Sequence, residues 1–63
     1  MITLQECATE AWDYTDRTQC TVYIDKILQG IYPYSQAIKK FGHYNLDVTH
    51  EEKHSKLIIF LKN

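Results

Sequence analysis

Cys20-Thr21-Val22-Tyr23-Ile24-Asp25-Lys26-Ile27-Leu28-Gln29-Gly30-Ile31 carries two secondary-structure patterns at once. Cys20, Ile24, Ile27, Leu28 and Ile31 recur at three- and four-residue intervals, the spacing that lines one face of an α-helix. The first half pulls the other way. Thr21-Val22-Tyr23-Ile24 is β-branched and aromatic, and such residues lose rotamer freedom in a helix and suit a pleated strand. The longer pattern, carried through Ile31, predicts a helix from about Thr18 that Gly30 and Pro33 then break or kink.

Upstream, Thr3-Leu4-Gln5-Glu6 fits a capping box, in which the Thr hydroxyl and the Glu carboxylate each satisfy the other residue's backbone N–H. Leu4, Cys7, Ala8 and Ala11 follow at helical spacing, predicting a first helix to about Tyr14 and a polar turn over Asp13–Thr18. Downstream, Pro33 to Phe41 predicts a third short helix with Ile38 and Phe41 inward and Lys39 and Lys40 outward. Gly42 stands where a left-handed glycine would end it.

The period then changes to two. Tyr44, Leu46 and Val48 alternate with Asn45, Asp47 and Thr49, and Leu57–Leu61 makes a second strand. His50–Lys56 is a polar connection without an Asn-Gly turn signature. The expected fold is α+β, a single domain over residues 1–63. Two or three short helices pack on a C-terminal antiparallel β-hairpin, in the order α-α-α-β-β.

The last strand is apolar on both sides, with Leu57, Ile59 and Leu61 pointing one way and Ile58 and Phe60 the other. Helices on one side of a hairpin cover only one of those faces. Ile58 and Phe60 are therefore expected to mediate self-association, making the protein a homodimer.

Composition narrows the class. A chain of 63 residues that is 44% hydrophobic and 24% charged folds rather than stays disordered. A net charge of −1 disfavours a histone-like or polybasic membrane binder. The longest apolar run is Leu57–Leu61, too short to cross a membrane. The opening residues lack the basic and apolar regions of a signal peptide, so a cytoplasmic location is expected. Cys7 and Cys20 are too few for a disulfide framework. A bridge between them would need the first two elements to form a hairpin, and two buried thiols acting as small hydrophobes are expected.

His50-Glu51-Glu52-Lys53-His54 matches H-E-x-x-H, in which two His one helical turn apart bind zinc and the Glu activates water. The flanks here are polar, no apolar stripe would bury such a helix, and a third ligand is missing after His54. A looser set of His43, His50, His54 and Asp47 could share an ion if the loop is tight, but histidines bracketing a turn are expected simply to be exposed. The Asp13–Asp16 segment is followed by Thr18 and Ile24 where a calcium loop needs Gly and Glu. Glycines are isolated, and Ser35 and Ser55 lack a nucleophile setting. No enzyme activity, cofactor or metal is expected.

Two binding functions remain. Residues 1–31 carry two basic and five acidic groups, and residues 32–63 carry five basic and three acidic. Lys39 and Lys40, with Lys53, Lys56 and Lys62 on the hairpin, could line a phosphate-facing strip, as in a small nucleic-acid-binding transcriptional regulator. A helix-turn-helix placed over Asp25–Lys40 fails, because Lys26, Gln29 and Gln36 fall at positions that must be small or buried. Protein binding fits better. Five tyrosines are many for this length, and Tyr and Trp supply rigid contact area with a polar tip. Tyr23, Lys26, Tyr32, Tyr34, Lys39 and Lys40 are the expected partner-binding residues. Small size without catalytic chemistry suits an inhibitor or regulator of a host enzyme or defence complex, of the type that phages and mobile elements encode.

Overall fold

The β-branched run prevails over the helical spacing. In the computed structural model, which describes residues 1–53 and 55–63, the 20–31 stretch is a β-hairpin. The elements are α1 (Leu4–Ala11), β1 (Gln19–Ile24), β2 (Ile27–Pro33), α2 (Tyr34–Phe41), β3 (Asn45–Glu52) and β4 (Lys56–Lys62). The expected α-α-α-β-β order with a C-terminal hairpin is thus corrected to α-β-β-α-β-β. The strands form one mixed sheet in the order β2-β1-β4-β3. β1 and β4 run parallel at its centre, and β2 and β3 are antiparallel edges.

Two local devices explain why the hairpin imitates a helix. Asp25 and Lys26 have φ of 50° and 70°, the paired positive φ of a two-residue type I′ turn, which matches the twist of the flanking strands. That turn sets Ile24 opposite Ile27, three positions apart. In β2 the register shifts between Val22↔Gly30 and Tyr23↔Leu28, leaving Gln29 as the extra residue of a β-bulge. The bulge brings Leu28 and Ile31 to the same side of the strand. Gly30 sits there with φ 141°, and a Cβ would press on the Tyr32 ring at 3.2 Å. A second bulge between Leu46 and Val48 reverses the predicted alternation of β3, so Leu46 faces inward and Val48 outward.

The registers align inward-facing residues in rows across the sheet. Tyr32, Cys20, Leu57 and Glu51 form one, Gly30, Val22, Ile59 and Thr49 the next, and Ile27, Ile24, Leu61 and Leu46 a third. Leu4 from α1, with Ala37 and Phe41 from α2, completes the buried core over Cys20, Val22, Leu57, Ile59 and Leu61. Each fully buried aliphatic side chain contributes roughly 1.5–3 kcal/mol of transfer free energy. The helices therefore cover one side of the sheet only.

α1 begins at the expected capping box: the Glu6 N–H donates to Thr3 Oγ1 at 3.2 Å, and the Thr3 N–H to Glu6 Oε1 at 3.0 Å. The helix ends at Ala11, short of the expected Tyr14, because Trp12 is extended. α2 follows β2 without a loop, and its N-cap, Pro33, offers no side-chain acceptor. Asp16, 19 positions before Ser35, supplies one: its carboxylate accepts from the Ser35 N–H at 2.7 Å. Cys7 and Cys20 are both free, and Cys20 is buried. Burial pushes the Cys20 thiol up to about 11, with the Asp16 charge adding to it. No helix among the described residues is long and apolar enough to cross a membrane.

Gly42 ends α2 with φ −60°, not in the expected left-handed conformation. Close approach demands the glycine instead. The Gln5 N–H donates to the Gly42 carbonyl at 3.0 Å, and an added Cβ would collide with the Ile38 carbonyl oxygen and meet Gln5 Cβ at 3.0 Å. Gly42→Ala is expected to cost about 1–3 kcal/mol by overpacking, read from the urea midpoint; an unchanged midpoint counts against this role.

Acid should also weaken the fold. Hydrogen bonds from the Thr3 backbone and then its hydroxyl hold Glu6 below the usual carboxylate range, and Ser35 does the same for Asp16 through its hydroxyl and N–H. A depressed folded-state pKa contributes stability above the unfolded value and loses it as pH falls through the folded one. Stability is therefore expected to decline below about pH 4. The Glu6→Gln/Asp16→Asn double variant should show a flatter decline in the same titration, and an equal slope in both proteins would contradict the assignment.

Candidate functional site

The side of the sheet away from the helices has its own rows. Leu28, Tyr23, Phe60 and Val48 stand in register, one from each strand in the order β2, β1, β4, β3. The neighbouring row is Ile31, Thr21, Ile58 and His50. Tyr23 and Phe60 stack at the centre, ring centroids 4.9 Å apart and planes 17° off parallel. Leu28, Ile31 and Val48 are 56%, 62% and 54% exposed, high for aliphatic side chains in ordered strands. Ile58 and Phe60 are half-buried by their neighbours.

Charge lies at the ends of this surface. Beyond the second row, Lys56 Nζ approaches Glu52 Oε2 at 3.9 Å. Past the first row, Lys62 Nζ approaches Asp47 Oδ1 at 3.8 Å. Such half-exposed pairs contribute little to stability, but they leave the surface an apolar centre with a polar rim.

The expected partner-binding residues are dispersed. Tyr23 lies on the open face against Phe60, merging one predicted binding residue with the predicted self-association pair. Lys26 is exposed at the tip of the β1–β2 turn. Tyr32 faces the other way, packing on Phe41 at 5.4 Å, with Lys40 Nζ 5.8 Å above its ring. Tyr34 begins α2 and joins Trp12 and Tyr14 in an aromatic cluster with centroids 5.5–6.4 Å apart. Burial raises the Tyr34 hydroxyl pKa. Tyr14 donates to Glu51, and that bond, with burial, pushes its pKa up to about 12. Lys39 and Lys40 are exposed on α2, on the opposite side of the molecule from Lys56 and Lys62. The structure thus does not assemble the lysines into one strip.

His50 and Glu51 belong to a strand, so they cannot supply the helix that H-E-x-x-H requires; His54 lies outside the described residues. Among the described residues, no group of three or more His, Cys, Asp or Glu is placed to hold a metal ion. A concavity of about 550 Å³ is an open groove between α1 and α2 past Ala8, Thr9, Ile38 and Lys39. Tyr34 and Ser35 also line it, with no His, Cys or carboxylate among its lining residues.

Leu28, Ile31 and Val48 are the face residues that pattern analysis misses, because each takes its side from a bulge or hairpin. Comparison with models of protein families, with curated proteins and with solved structures yields no match. The class this geometry defines is a two-layer α+β domain with an open-faced mixed sheet.

The stacked pair should be measurable as a coupling. A double-mutant cycle of Tyr23→Ala and Phe60→Ala is expected to return about 0.5–1.5 kcal/mol of interaction energy from denaturant unfolding. Additive single losses would show that the rings do not support each other.

Proposed function

We propose that this chain is a non-enzymatic protein-binding module whose contact surface is the open face of its sheet. One observation carries this: an apolar row, Leu28–Tyr23–Phe60–Val48, crosses all four strands with no element among the described residues over it. Water-facing apolar rows that span a whole sheet mark association surfaces, and aromatic residues at their centre supply most of the binding energy. The two rim ion pairs add orientation without strong charge of either sign. The separation of Lys39 and Lys40 from the β4 lysines supports a protein partner over nucleic acid, which calls for a continuous basic surface. The module would act by association through this face, in the cytoplasm, where free thiols such as Cys7 and Cys20 persist.

Site-specific photo-crosslinking in cells tests the proposal. A photoreactive residue at Leu28 or Val48 is expected to give protein adducts that survive nuclease treatment, while the same residue at Gln36 or Lys39 gives few. Adducts confined to the helical layer, or adducts to nucleic acid, would reject it.

A further inference from the structure

We propose that the occupant of the open face is a second copy of this chain, packed sheet to sheet about a two-fold axis. This rests on the face being a protein-binding surface, and it names the partner.

The chemistry of the row is its own complement. Read across the sheet it runs aliphatic, aromatic, aromatic, aliphatic: Leu28, Tyr23, Phe60, Val48. A two-fold axis along the strands, between β1 and β4, brings Leu28 over Val48 of the second copy and Tyr23 over its Phe60. An isologous interface requires a patch that matches itself under rotation in this way.

The rim agrees. It holds Lys56 with Glu52 at one end and Lys62 with Asp47 at the other, so each end carries one charge of each sign. Each rim is therefore close to neutral when two copies meet. A strongly acidic or basic partner would find no matching field.

Sheet-to-sheet packing is also the route left open by the edges. The start of β3 is covered by the N-terminal segment, through the Thr3↔Asn45 bridge and the Leu46 N–H donating to the Ile2 carbonyl at 2.9 Å. Its far half carries Glu51 and Glu52. The β2 edge is interrupted by the bulge at Gln29 and closed by Pro33. Charge, bulges and proline are the devices that discourage edge pairing, whereas the face carries none of them at its centre.

The area suffices. Four strands about 4.8 Å apart and about 20 Å long give a face of roughly 400 Å² in projection, more in accessible surface. Two such faces bury on the order of 1,000 Å², the lower bound for a specific association. Dissociation in the micromolar range is expected.

Sedimentation equilibrium of the full chain, from about 1 to 100 µM, tests the inference. The wild type should move from the mass of one chain to twice that mass. Leu28→Lys/Val48→Lys, at two exposed positions that the fold tolerates, should weaken association at least tenfold with an unchanged circular dichroism spectrum. Lys39→Glu/Lys40→Glu, on the other layer, should dimerise as wild type. As a check that needs no destabilising change, a photoreactive residue at Leu28 should link to residues 45–52 of the second copy. A wild-type monomer throughout, a dimer indifferent to Leu28→Lys/Val48→Lys, or links only to β2 or α2 would overturn the inference. Under the first of these, Leu28 adducts to other proteins would leave the binding-face proposal standing, and their absence would remove both.

Discussion

The parallel ladder between β1 and β4 is the interaction on which the other contacts hang. Each hairpin, β1–β2 or β3–β4, would be marginal alone. Joined from Gln19↔Lys56 to Ile24↔Leu61, they become one sheet with enough inward surface to hold both helices. The apolar pattern of β4 cannot choose this register, because a one-residue slip exchanges Leu57, Ile59 and Leu61 for Ile58 and Phe60, which are also apolar. The choice comes from β1, where Cys20 and Val22 are small enough to lie beneath the helices while Thr21 and Tyr23 carry hydroxyls to the other side. Backbone bonds at the two ends pin it, Gln19 N–H to the Ser55 carbonyl and Asp25 N–H to the Leu61 carbonyl, both at 2.9 Å.

What could be read in advance was what local chemistry specifies. The capping box at Thr3–Glu6, the helix ending at Phe41, and the strands around Leu46 and Leu57–Leu61 all follow from spacing and side-chain type. The unsatisfied side of β4 followed too, and Ile58 and Phe60 do face away from the helices. The hairpin at 20–31 did not. Its turn is Asp25-Lys26, without the glycine that usually signals a type I′ turn, and its bulge converts a two-residue period into apparent three- and four-residue spacing. Val48, which strict alternation groups with Tyr44 and Leu46, faces the other side for the same reason, one extra residue at Asp47. For the tyrosines, composition indicates a surplus but not a direction, so Tyr32 and Tyr34 turned out to pack in the helical layer while Tyr23 belongs to the face.

The helical layer is fastened by the chain that precedes the sheet. The segment between α1 and β1 lends Trp12 and Tyr14 to the ring cluster around Tyr34, donates from Tyr14 to Glu51 on β3, and places Asp16 at the start of α2. A connection of irregular shape thereby ties both helices and an edge strand together. This leaves the two sides of the sheet unlike in character, one locked by several kinds of contact and the other bare.

Of the four strands, the one latest in the sequence stands in the interior of the sheet. Cys20 and Leu57, partners in the central ladder, are 37 positions apart, and every residue of β2, α2 and β3 lies between them. During synthesis, at roughly 5–20 residues per second, all those segments emerge before the one that must slot between β1 and β3. Until residues 56–62 arrive, Val22, Phe41 and the other core side chains have no platform to close on. Acquisition of the native state is therefore bound to the final steps of translating this stretch, and the waiting chain, with two unfilled strand edges, is the form that holding chaperones would meet.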